Sequence, residues 1–166
     1  MRDKDKQRNS TEPKGELASR TLAMPADSNP KGDIFGGWIM SLMDSAGKMS
    51  ATPYAGGRVV TVAVSNITFL HPVHVGDTVC CYTDLKRLGR TSITLDVEVW
   101  VLRQGQGARI KVTDAEFTFV AVHEDGRPRE LTSPRPKLQP LPVRERRRSR
   151  QPKGEVSAIP AERTVP

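Results

Sequence analysis

Between residues 36 and 52 the apolar positions recur at helical spacing, whereas most of the chain from residue 58 to residue 123 alternates as strands do. Trp38, Ile39, Leu42, Met43, Ala46 and Met49 share one broad face, and Gly37, Ser41, Asp44 and Lys48 the opposite one. The spacing predicts one helix over Gly36 to Thr52, roughly 25 Å long at about 1.5 Å per residue. Asn29, Pro30, Gly32 and Asp33 supply turn chemistry before it. Pro53, which lacks an N–H and disfavours helix at Thr52, is expected to end it.

Five segments read as strands. Glu16 to Met24 is short and suits a sheet edge. Arg58 to Leu70 is rich in Val, Thr, Ile and Phe, with broken alternation near Ser65-Asn66 that predicts a bulge. Thr78 to Leu88 comes after the turn His71 to Asp77. Arg90 to Arg103 places Ile93, Leu95, Val97, Val99 and Val101 on one face and Ser92, Thr94, Asp96, Glu98 and Trp100 on the other. Ala108 to His123 is the last, with a phase slip near Thr113-Asp114. The short turns between the later strands predict antiparallel neighbours. The fold class is therefore α+β, with the helix lying along the concave face of a curved antiparallel sheet. Two such sheets joined edge to edge would remove exposed strand edges, so a dimer is expected.

Composition changes this picture only at the ends. The chain has 166 residues and a net charge of +7, which suits one domain plus tails. Residues 131–166 hold nine Lys/Arg against three Asp/Glu, and the remainder seventeen against sixteen. The basicity thus belongs to the tail, and the folded part gives no reason to expect a nucleic-acid partner. Residues 1–14 and 132–166, poor in periodic apolar positions, are expected to be disordered, leaving a domain over 15–131. No apolar run reaches membrane-spanning length and no signal peptide is visible. The adjacent Cys80 and Cys81 would point to opposite faces of a strand, a poor disulfide pair, which fits a reducing, cytoplasmic setting. No zinc-ligand spacing occurs.

Candidate chemistry concentrates on the helix. Gly36-Gly37 removes side chains from its first turn and bares the N–H groups that a helix start leaves unpaired, which can bind an oxyanion. Asp44 puts a carboxylate on the polar stripe. With Lys48 four residues on, it can equally be an ordinary surface ion pair. Asp33 suits either a dipole-stabilising acid or a site residue. His71 and His74 read as structural or surface residues of a turn.

These segments resemble the hotdog fold, and specifically the YciA-type bacterial acyl-CoA thioesterases. The similar text is Thr21 to Asp27, Gly32-Asp33-Ile34-Phe35-Gly36-Gly37-Trp38, Met43-Asp44, Gly57 to Val62, Thr68 to Leu70, Pro72-Val73, Val75-Gly76-Asp77, Val79 to Tyr82 and Glu98 to Val101. The resemblance covers about Gly15 to Leu131. It implies hydrolysis of acyl-CoA to a carboxylic acid and coenzyme A. Gly37 N–H would polarise the thioester carbonyl, and Asp44 of the dimer partner would act as general base on water or as nucleophile. Burial in the dimer cleft would raise the Asp44 pKa. Asp33 joins this catalytic set by resemblance. Asn29, Gly36, Arg58, Gly89, Arg90, Thr91 and Ser92 would contact substrate, with Arg90 or Arg58 pairing a phosphate of coenzyme A or standing as exposed turn arginines. No resident cofactor or metal is implied, coenzyme A being part of the substrate. A homodimer, further assembled as a trimer of dimers, is implied. Acyl selectivity is expected from Ile34, Phe35, Trp38 and Met40. Two competing readings remain. One is a non-catalytic acyl-CoA-binding hotdog regulator that uses the basic tail for an anionic partner. The other is a hotdog dehydratase, disfavoured because the loop-helix motif has no His.

Overall fold

The computed structural model describes residues 11–131 except 106. The segments 1–10 and 132–166, most of both expected tails, lie outside the described residues. Five strands, β1 (Glu16–Leu22), β2 (Val59–Phe69), β3 (Thr78–Leu88), β4 (Ser92–Leu102) and β5 (Arg109–Ala121), form one antiparallel sheet in the order β1-β3-β4-β5-β2. One helix, α1 (Gly36–Ala55), packs across it, most heavily on β4. This is the hotdog arrangement. β1 and β2 are the edges. The bulge expected in β2 is present: pairing with β5 shifts between Ser65 and Thr68, where Asn66 takes a φ of 61°. The slip in β5 lies at Val112, where two β4 neighbours, Val99 and Trp100, pair with Thr113 and Lys111.

The helix runs three residues beyond the expected stop. Pro53 sits inside its last turn, on an exposed stretch, where a missing N–H costs one bond. Thr52 Oγ1 donates to Lys48 O at 2.8 Å in that turn. The end is set instead by Gly56, whose φ of 61° is a left-handed conformation that glycine tolerates and whose N–H closes on Thr52 O at 2.9 Å.

The buried face of α1 is also rotated from the one expected. Ile39, Met43, Ala46, Gly47, Ala51 and Ala55 are buried, while Met49 is 53 % exposed and Trp38 and Leu42 are only partly covered. The small residues Ala46, Gly47, Ala51 and Ala55 form a smooth stripe that lets the backbone approach the sheet closely. A Cβ on Gly47 would stand 2.5 Å from Phe119 Cζ. Close approach wins over the larger side chains on the neighbouring flank.

Both faces of β4 are covered. On the helix side Ile93, Leu95, Val97, Val99 and Val101 join the main core. On the outer side Cys80, Tyr82 and Trp100 form a second small cluster. Glu98 is buried there and accepts from Trp100 Nε1 at 2.9 Å and from Lys111 Nζ at 3.1 Å. Lys111 Nζ also donates to Asp114 Oδ2 at 2.9 Å, and Lys14 N donates to Glu98 Oε2 at 3.2 Å. A buried charge needs such partners. Cys80 and Cys81 are buried, unpaired and on opposite faces, as their adjacency predicts. The buried Cys81 thiol is pushed up by desolvation.

Candidate active site

The loop before α1 is organised by Asn29. Its Oδ1 accepts from Lys31 N at 2.9 Å and Asp33 N at 3.1 Å, and its N–H donates to Asp33 O at 2.7 Å. Asn29 therefore shapes the loop that delivers the helix start. Asp33 Oδ1 lies 3.4 Å from His74 Nδ1, across a backbone bridge between the same two residues. Phe35 occupies the position before the helix without donating a side-chain cap. Gly36 and Gly37 are exposed, and a Cβ on Gly37 would meet nothing within 4 Å. Trp38 N already donates to Phe35 O at 3.0 Å, which leaves the N–H groups of Gly36 and Gly37 at the bare start of the helix, with the partial positive charge of a helix start. Beside them Ile34, Gly36, Ile39, Phe69, Pro72 and Val73 help to line an apolar cavity of about 340 Å³. Of the four residues expected to set acyl selectivity, Ile34 lines it, whereas Phe35, Trp38 and Met40 do not.

Asp44 lies two turns further along α1. It is next to the small-residue stripe rather than opposite the core, so it faces β2. Its Oδ2 accepts from Lys48 Nζ at 2.6 Å, and its Oδ1 accepts a hydrogen bond from Thr61 Oγ1. Its side chain is 30 % exposed. Partial burial within the chain pushes its pKa up. The hydrogen bonds from Lys48 and Thr61 and the Lys48 charge together outweigh burial, so the carboxyl is held below its ordinary value. Within one chain the cause of this direction is the two donors, Lys48 and Thr61.

The remaining predicted residues gather near the other end of α1. Val122 N donates to Arg58 O, and Ala121 N to Thr91 O. Arg58 Nη1 donates to Glu124 O at 3.3 Å. Gly89 and Ser92 close the turn between β3 and β4 through Gly89 N to Ser92 O, 2.8 Å. Arg90 is 82 % exposed and pairs loosely with Glu130. Asn29, Asp33, Gly36 and Gly37 thus form one group, Arg58 and Gly89 to Ser92 another, with Asp44 between. Gly37 and Asp44 are seven positions apart on one helix, about 10 Å along its axis. Thr61 and Lys48, which orient Asp44, are not among the site residues expected from the sequence. The i,i+4 spacing exposes Lys48 in the sequence, but nothing local marks Thr61.

Among the described residues no cluster of three or more His, Cys, Asp or Glu is placed to hold a metal, and no helix is long and apolar enough to cross a membrane.

One long helix laid across a five-stranded antiparallel sheet defines a hotdog-fold protein. The thioesterase superfamily model matches residues 31–108. The acyl-CoA thioester hydrolase YciA of Salmonella typhimurium is 56 % identical over 122 residues, covering 72 % of this chain and 92 % of the relative. The solved hexameric thioesterase of Yersinia pestis is 56 % identical, with a TM-score of 0.70 over 73 % of this chain and 98 % of that one. A hexameric hotdog-fold thioesterase of Campylobacter jejuni is 40 % identical, with a TM-score of 0.67 over 71 % and 91 %. The chain belongs to the YciA family of acyl-CoA thioester hydrolases.

Proposed function

We infer that this protein hydrolyses acyl-CoA thioesters to a free carboxylic acid and coenzyme A. The observation that carries the reading is the Asp44 carboxyl group, held by Lys48 and Thr61 on the same helix that begins with Gly36-Gly37, where a helix start leaves N–H groups unpaired. The thioester carbonyl oxygen would sit on Gly37 N–H, which stabilises the charge that develops there. Water attacks the carbonyl carbon, a carboxylate takes its proton, and the C–S bond breaks to release the coenzyme A thiolate, which is then protonated. An alternative with the same atoms has the carboxylate attack first and water cleave the resulting anhydride.

One chain does not supply both groups to one carbonyl. An oxyanion donor and a base must each lie about 3 Å from the reacting atoms, whereas Gly37 and Asp44 are about 10 Å apart along the helix axis. The reading therefore pairs Gly37 of one copy with Asp44 of another. The edge strand β2, next to Asp44, exposes Val62, Val64 and Phe69 at 55, 40 and 45 %, which favours a second copy there. The hexameric relatives favour a trimer of such dimers. No resident cofactor is needed, since coenzyme A enters as substrate. Its phosphates would meet Arg58 or Arg90, both near the C-terminal end of α1. The buried, unpaired cysteines favour a reducing, cytoplasmic location.

A thiol-release assay on acetyl- to palmitoyl-CoA, run on wild type and Asp44→Ala, tests this. The expected result is turnover by wild type and a loss of about 10²- to 10⁴-fold in the variant, with the oligomer retained. Full rate in Asp44→Ala overturns the assigned role. Saturable binding of acyl-CoA by wild type without thiol release favours the regulator reading instead.

A further inference from the structure

Arg103, at the end of β4, grips both ends of the turn between β2 and β3. Its Nε donates to Asp77 Oδ1 at 3.0 Å, and its Nη2 to Asp77 Oδ2 at 2.8 Å and to Pro72 O at 3.1 Å. Asp77 is 2 % exposed, and its Oδ2 also accepts from His74 N at 3.0 Å. A planar guanidinium on a buried carboxylate fixes orientation as well as distance, which an ammonium does not.

The turn held in this way carries the start of α1. Val73 O accepts from Ile34 N at 2.9 Å, and His74 bridges Asp33 through backbone and side chain. The helix begins two residues after Ile34. Between turn and helix start lies the cavity lined by Ile34, Gly36, Ile39, Pro72 and Val73. Ile34, Ile39 and Val73 are buried in the main core, and the hydrogen bonds through the turn add to that packing the direction in which the first helical N–H groups are held.

We infer that Arg103 is a positioning residue for the oxyanion donor at Gly37, acting through Asp77 and the Val73–Ile34 bond. This rests on the proposed thioesterase reading. A donor placed too loosely still allows substrate to bind but stabilises the transition state poorly, so the effect falls on kcat rather than KM.

The test uses the full-length oligomer with one acyl-CoA, comparing wild type, Asp44→Ala, Arg103→Lys and Arg103→Met well below their melting temperatures. The expected result is a kcat lowered roughly 10- to 100-fold in Arg103→Met, with KM changed less than about twofold. Arg103→Lys, which keeps the charge but not the fork, should fall between it and wild type. If Arg103→Met does not fold, a lowered kcat at unchanged KM in Arg103→Lys carries the same result. A folded variant with wild-type kcat, or one in which only KM rises, overturns the positioning role while activity lost in Asp44→Ala leaves the thioesterase reading intact. No thiol release from wild type overturns both.

Discussion

Lys48 Nζ stands 2.6 Å from Asp44 Oδ2, one helical turn away on α1. The pair has the spacing of an ordinary surface ion pair, yet the other carboxylate oxygen is taken by Thr61 of β2. The carboxylate is thereby oriented from two elements, and its pKa is held below the ordinary value. If it is the base or nucleophile, the acid limb of kcat/KM reports its pKa. Lys48 holds that value down, so removing the ammonium raises it and leaves less carboxylate at any given acid pH. Lys48→Met should move the acid limb to higher pH, and Thr61→Val should move it the same way. A pH profile of kcat/KM for the three proteins measures this, and coincident limbs would sink the role given to Lys48.

Gly47 faces Phe119, which is fully buried and stacks on Phe117 with ring centroids 6.1 Å apart. Replacing an interior helical glycine with alanine ordinarily gains about 1 kcal/mol. Here the new methyl group would meet Phe119 Cζ at 2.5 Å, and a ring packed on all sides has nowhere to turn. Overpacking of this kind costs about 1–3 kcal/mol, so Gly47→Ala should lower the thermal midpoint at matched protein concentration. A raised midpoint would mean that the helix can lift from the sheet.

That contact also marks where the sequence stops being informative. Periodicity locates the helix and all five strands, because each has enough residues for its period to show. Chemistry at Gly36-Gly37 and Asp44 is legible because a bare helix start and a lone carboxylate stand out locally. The rotation of the helix is not legible. It depends on how closely Ala46, Gly47 and Ala51 approach β4 and β5, a tertiary distance that hydrophobicity does not encode, and so the spacing puts Met49 on the core face. The Pro53 stop fails for a related reason, since the packing of Ala51 and Ala55 in the core carries the helix past the local cost of the proline. The Thr61 contact and the Arg103–Asp77 clamp each join residues far apart in sequence, and no local pattern marks them.

The outer face of the sheet yields a prediction about charge. Glu98 and Lys111 have side chains only 5 % exposed, with oxygen and nitrogen 3.1 Å apart. Lys111→Met should cost about 3–5 kcal/mol, because it strands the Glu98 carboxylate with neutral donors. Glu98→Gln with Lys111→Met should recover much of that loss, since no buried charge is then left alone. A double-mutant cycle on denaturant midpoints checks this, and strictly additive costs would show that the two charges do not depend on each other.

Acid sensitivity should trace in part to Asp77. Burial pushes its carboxyl up, but hydrogen bonds from Arg103 and the His74 backbone, with the Arg103 charge, outweigh it and hold the value below the ordinary one. An unfolded aspartate has a pKa of about 3.9. Between that value and the lower folded one, the unfolded chain binds the proton more readily, so stability falls as pH falls. The contribution is fully present above about pH 5 and is lost as pH drops through the folded value. Asp77→Asn removes the titrating group and leaves Arg103 facing a neutral amide. The variant should be less stable than wild type at neutral pH, and the gap should narrow steadily below about pH 4. Thermal midpoints from pH 7 to pH 3 for both proteins decide it, and a gap that stays constant over that range would place the acid sensitivity elsewhere in the fold.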